Sequence, residues 1–205
     1  MKYIFYTFLS LIILASCKTN KDYLSRSDND NTLFDAIKTL KKHNTDTTAL
    51  QALPVLYNLA QQRNLRKINS YSSSRELSRW DKMINAYSTL QEMYNAIVEN
   101  DAASRVVTPV NYQQTLYDLK HEAAADYYTA ATVFLNKPGR ADAKQAYNYF
   151  KKADKLVPGY EDAKLKMDEA YAHAIVNVVI KPVQYNSYFF NTGWGNYGYN
   201  YSNEY

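Results

Sequence analysis

The side chains able to do acid–base, nucleophilic or metal chemistry are few in this sequence, and they are scattered. His43, His121 and His173 lie far apart, and none sits in H-E-x-x-H or another spacing that sets two imidazoles on one helix face. They read as surface or satisfied core histidines, without a metal. The acidic pairs Glu161–Asp162 and Asp168–Glu169 read as solvated helix faces. Paired carboxylates acting on a glycosidic bond would need a cleft, and no feature marks one. No glycine-rich phosphate loop and no G-x-S-x-G elbow occurs. Cys17 is the only cysteine, so no internal disulfide can form. Lys and Arg number 24 against 20 Asp and Glu, a formal charge of +4 without a dense basic stripe. That balance gives no support to nucleic-acid binding. The expectation is a protein that is not an enzyme, with no catalytic residue and no cofactor.

Cys17 has a more informative setting than the histidines. Lys2 supplies a positive start, and Tyr3 to Leu14 form an uncharged apolar stretch, too short to cross a bilayer comfortably as a permanent helix. Leu14, Ala15, Ser16 and Cys17 follow as "LASC". This resembles the lipobox of bacterial lipoproteins. The resemblance implies cleavage between Ser16 and Cys17, a diacylglyceryl group on the thiol, and an acyl chain such as palmitate on the new amine. Residues 1–16 are then a signal peptide and residues 17–31 an acylated anchor with a polar tether, "KTNKDYLSRSDNDN", too polar to fold by itself. The membrane becomes a partner through lipid alone. Acyl chains contribute about 0.8 kcal/mol per buried methylene, so two or three of them hold a protein almost permanently. The later apolar run from Ala174 to Ile180 is interrupted by Asn177. Lys18 is not the aspartate associated with inner-membrane retention, and "KTNKDY" matches surface-export tethers only faintly. The expected location is the outer membrane of a cell envelope, with the periplasmic side preferred and the cell surface as alternative.

Past the tether the pattern is helical throughout. Gly and Pro are scarce, at five each, while Ala, Leu, Lys, Asn and Tyr abound. Phe34, Ile37 and Leu40 share a face of a helix over about 32–42. "NTDTTA" interrupts and caps the next, about 48–68, whose stripe is Leu53, Leu56, Tyr57 and Ala60. Pro54 predicts a later start or a kink there. Ser73 and Glu76 fit a capping box for a third helix over about 75–98. Its stripe of Trp80, Met83, Tyr87, Leu90, Tyr94 and Ile97 requires a covering partner. "ENDAASRVVTPVN" reads as a loop, followed by helices over about 112–135, 142–156 and 161–174, with Pro138–Gly139 and Pro158–Gly159 as stops.

"AYNYFKKADKLVPGYEDAK" resembles the second helix of a tetratricopeptide repeat running into the next repeat. Ala146, Phe150, Ala153 and Pro158 fall at that motif's small, aromatic, small and proline offsets. "RWDKMINAY" puts Trp80, Met83 and Tyr87 where a repeat's first helix has its Trp, Leu and Tyr. The turn in "KPGRADAKQA" is about two residues longer than the motif's, and Thr132 or Phe134 stands for its usual small residue, so the array is TPR-like and degenerate. The chain is similar to TPR-like lipoproteins of Bacteroidota over about residues 32–175. That likeness implies an all-α array of antiparallel helix pairs on a lipid anchor, and no activity.

The C-terminal pattern differs. Ile175, Val176, Val178, Val179 and Ile180 read as a short strand where the helical domain, 32–175, gives way to the segment 176–205. "YNSYFFNTGWGNYGYNYSNEY" follows, with nine aromatics in 21 residues among Asn, Gly and Ser. It reads as a low-complexity tail or the start of a further domain. The leading expectation is a scaffold or adaptor that holds an envelope protein or peptide in a helical groove. Tyr127, Tyr128, Tyr147 and Tyr149 are the candidate contacts, since exposed tyrosines supply rigid contact area. The alternatives are capture of a glycan through Trp194, Tyr197 and Tyr199 of the tail, and an activity carried by sequence beyond residue 205.

Overall fold

The computed structural model describes residues 22–26, 29–176 and 180. Among these residues the chain is all-α: α1 (Asn29–Lys42), α2 (Thr47–Ser72), α3 (Ser78–Val98), α4 (Asp101–Ser104), α5 (Gln113–Leu135), α6 (Arg140–Leu156) and α7 (Ala163–Ala174). No strand occurs among the described residues. The chain divides after Ala174 into this helical unit and a second unit, residues 175–205. Of the strand expected there, Ile175, Val176 and Ile180 are described and have no regular structure; Val178 and Val179 lie outside the described residues.

The apolar spacing positions the helices as expected, with corrections at their ends. α1 begins at Asn29, inside the stretch read as tether, with Asp30 in its first turn, where a carboxylate suits the helix dipole. Arg63 of α2 reaches across to Asp30 at 2.7 Å. The tether is also anchored further back. Tyr23 is buried in the core, and its hydroxyl donates to Thr39 Oγ1 at 2.9 Å, while Arg26 pairs with Asp35. One aromatic ring is enough to dock a segment whose average composition is polar.

Asp46 caps α2 by accepting from Ala49 N–H at 2.9 Å. The helix starts before Pro54 and continues through it without a break, with the proline on the exposed face. A carbonyl deprived of its N–H partner on that side can turn to water. Leu53, Leu56, Tyr57 and Ala60 are all buried. α2 continues to Ser72, and the capping box expected from Ser73 and Glu76 does not form. The Ser72 and Ser73 hydroxyls donate to carbonyls three residues back, and Ser73 is itself the last residue cap of α2. α3 therefore starts at Ser78 without a side-chain cap.

The expected loop after α3 contains α4, a single helical turn. Asn100 organises it. Its Oδ1 accepts from Ala102 and Ala103 N–H at 3.0 and 3.1 Å, and its Nδ2 donates to the Ile37 carbonyl of α1 at 3.2 Å. One buried amide thus caps α4 and stitches it to α1. Asn100→Ala removes the cap and the tie to the Ile37 carbonyl, so urea denaturation should show a loss of about 1–2 kcal/mol. Asn100→Asp, which keeps the acceptor, should lose less.

The linker into α5 is tied down by a second polar network. Tyr57's hydroxyl accepts from Val110 N–H at 2.9 Å, Gln61 Nε2 donates to the Tyr112 hydroxyl at 2.8 Å, and Tyr112 N–H donates to Gln91 Oε1 at 2.7 Å. Tyr87 stacks obliquely on Tyr112, with ring centroids 5.8 Å apart. Burial pushes the phenols of Tyr57 and Tyr87 above their ordinary value. Gly159, at φ 76°, makes the turn between α6 and α7, and its N–H is held by Asp154 Oδ1 at 3.0 Å. Arg140 Nε donates to the Ala174 carbonyl at the end of α7, where a cation is favourable.

Candidate functional site

The candidate tyrosines sit on α5 and α6, whose facing surfaces are lined by alanine. Ala131, Ala146, Ala163 and Ala170 are fully buried around Phe150, so α5, α6 and α7 approach closely with one aromatic filling the gap. Tyrosines beside that alanine seam are drawn into it. Tyr127 is 1% exposed. Its hydroxyl donates to the Leu77 carbonyl at 3.1 Å and accepts from Lys152 Nζ at 3.2 Å, and Lys152 also pairs with Asp81 of α3. Tyr127 is therefore a core residue that ties α3, α5 and α6 together, and its side chain is not offered to a partner. Burial chiefly pushes its phenol up. Burial works against the Lys152 charge too, but the hydrogen bonds to Asp81 and Tyr127 outweigh it and hold the ammonium above its usual value.

The other three tyrosines are half-buried and point in different directions. Tyr128 packs edge-on against Phe150 and Tyr160, with centroids at 5.4 and 5.8 Å, and its hydroxyl donates to Asp162. That hydrogen bond, with some burial, pushes the phenol up to about 12. Tyr149 lies against Tyr127 and Phe134 of α5, at 5.6 and 5.7 Å. Tyr147 lies instead against Tyr171 of α7, at 6.1 Å, with Lys151 beside its ring. Residues two apart on a helix do not share a face, so Tyr147 and Tyr149 serve opposite neighbours. The four candidates do not converge on one surface. Aromatic pairs of this kind contribute about 0.5–1.5 kcal/mol each beyond burial, and here that holds α5, α6 and α7 together.

Tyr147 with Tyr171, which is 56% exposed, is the part of the cluster open to solvent. Tyr171 was not among the sequence candidates, although its place in a helix with Ala163, Ala170 and Ala174 buried marks it as lying beside the packed face. A second cluster also escapes sequence reading. Asp126 of α5 accepts from Arg79 Nη2 at 3.0 Å and from Trp80 Nε1 at 2.9 Å, and the Arg79 guanidinium lies 4.6 Å from the Trp80 ring centroid. These contacts fix α5 on α3. The partners are about 46 positions apart in the chain, and no local pattern announces them.

His43 and His173 are exposed, and His121 is half-buried against the Tyr117 ring at 4.4 Å. Among the described residues, no three His, Cys, Asp or Glu side chains come together as a metal-ligand set. Among them, too, no helix is long and apolar enough to cross a membrane. Ser16 and Cys17 of the lipobox, and Trp194, Tyr197 and Tyr199 of the tail, lie outside the described residues. Compared with known proteins, the chain matches no family, no curated protein sequence and no solved structure.

Proposed function

We propose that this protein is a lipid-anchored lipoprotein of the cell envelope, and that its helical unit is a TPR-like scaffold holding a protein or peptide partner. The observation that carries the reading is the order of packing. The six longer helices pack in chain order, α1 on α2, α2 on α3, α3 on α5, α5 on α6, and α6 on α7, while α1 also touches α3 and the short α4. That neighbour-on-neighbour packing is how a helical repeat array is built, and such arrays present extended binding faces. The residues carrying the TPR resemblance support it: Ala146, Phe150 and Ala153 form the buried face of α6. "LASC" supplies the location. The role is passive: the lipid fixes the place, and the helices hold the partner.

The test is site-specific photo-crosslinking in intact cells, with the reactive residue placed in turn at Tyr147, Tyr171 and Leu59. Tyr147 and Tyr171 sit on the α6–α7 surface and Leu59 on the exposed side of α2. A scaffold working through α5–α7 should give a discrete adduct of one mass at Tyr147 or Tyr171 and none at Leu59. No adduct at either tyrosine, or the same adducts at all three positions, would count against the reading.

A further inference from the structure

The seam between α2 and α3 opens near the start of α1 into a polar cavity of about 180 Å³. It is half open to solvent and has room for a compact ion. Its fixed side is a locked network. Asp30 Oδ2 accepts from Arg63 Nη2 at 2.7 Å, and Asp30 Oδ1 accepts from Asn64 Nδ2 at 3.2 Å. Asn64, only 2% exposed, also donates to the Ala60 carbonyl at 3.0 Å. The one acid lining the cavity is thereby balanced by an arginine.

The walls carry the opposite sign. Asn64, Lys67 and Tyr71 recur at i, i+3 and i+7 on α2, and Lys82 and Asn85 face them from α3 beside Ala86, whose small side chain leaves the room. Lys82 Nζ stands 5.5 Å from the Tyr71 ring centroid. Among the described residues neither Lys67 nor Lys82 is in an ion pair. With Asp30 paired to Arg63, Lys67 and Lys82 leave the lining of this cleft with an excess of positive charge.

We propose that this cavity binds a phosphate group. A phosphate monoester carries about −1.5 to −2 charge near neutral pH, which two lysines match. Of the residues lining the cavity, Lys67, Lys82, Asn85 and Tyr71 carry groups able to donate to a phosphate oxygen. Lysine acts on phosphate as a point charge, and the bidentate fork of Arg63, which would suit carboxylate and phosphate alike, is committed to Asp30. Two sources share the chemistry: a phospholipid headgroup and a soluble phosphate.

The test uses the protein as its cells process it, in an uncharged, phosphate-free detergent. Inorganic phosphate and glycerol 3-phosphate are titrated separately by calorimetry and by thermal denaturation, with chloride holding ionic strength constant. Saturable binding and a ligand-dependent rise in Tm are expected, as mass action requires. The Lys67→Ala/Lys82→Ala double variant should lose about tenfold or more in affinity. A Lys144→Ala/Lys155→Ala variant, which removes equal charge from exposed positions of α6, should bind as the parent does. Both cavity lysines are exposed, so far-ultraviolet circular dichroism should be unchanged; should the double variant unfold, Asn85→Ala and Tyr71→Phe must each weaken binding several-fold. No saturable binding by the parent, undiminished binding by the cavity variants, or equal loss in the α6 variant overturns the proposal. Tighter binding of glycerol 3-phosphate than of inorganic phosphate assigns the headgroup as the source. Equal or weaker binding assigns soluble phosphate.

Discussion

Tyr127→Ala should destabilise the helical unit by about 3–5 kcal/mol, a large share of the 5–15 kcal/mol typical of a whole domain. The ring is 1% exposed and lies where α3, α5 and α6 meet, so its removal opens a cavity between three helices. Tyr127→Phe separates packing from hydrogen bonding. The Leu77 carbonyl still accepts from Trp80 N–H at 3.1 Å, and Lys152 still pairs with Asp81, so neither partner is left alone. The phenylalanine variant should therefore lose only about 0.5–1.5 kcal/mol. Thermal and urea denaturation, followed by helix content, measure both, and the alanine variant should melt about 10 °C lower or more. A loss below about 1 kcal/mol for Tyr127→Ala would mean the ring is not buried, and would return it to the list of partner contacts.

The contrast between Tyr127 and its neighbours shows what one-dimensional patterns carry. On α2 the expected stripe is buried throughout, at Leu53, Leu56, Tyr57 and Ala60. On α3 the expected stripe is right at Trp80, Met83, Leu90 and Ile97, but Ala86 and Met93 take the places given to Tyr87 and Tyr94. Those two tyrosines move to the flank, half-buried, where a hydroxyl can reach a partner or water. Alanine in the vacated position lets the next helix approach. Periodicity thus finds the face, while the polar tip of tyrosine decides which side of it the ring occupies.

What periodicity cannot find are contacts made by single residues across long separations. Tyr23 in the core, Asn100 on the Ile37 carbonyl and Asp126 on Trp80 each join distant segments through one side chain. Only Asn100 has a local signal, because an asparagine followed by Asp101 is the start of a helix, and that pair sits in what reads as a loop. The candidate tyrosines fail as a group for a related reason. Their number and proximity are visible in sequence, but adjacent and alternate helix positions point to different neighbours.

Cys17→Ala should abolish incorporation of labelled palmitate. In the parent, the mature chain should begin at Cys17, and its N-terminal peptide should carry the mass of the acyl groups. A carbonate wash should leave the parent in the membrane, because two or three acyl chains at about 0.8 kcal/mol per methylene make release negligible. Palmitate labelling that survives the substitution, or a mature chain starting elsewhere, would remove the anchor from the proposal. The consequence reaches into the folded unit. Read as a free tether, residues 17–31 would let the helices range about 50 Å from the lipid. Because Tyr23 is bound in the core, only residues 18–22 separate it from the thioether, and a fully extended chain of that length spans about 20 Å. A lipid on Cys17 would then hold α1 close above the headgroups, and any partner must be engaged from that restricted position.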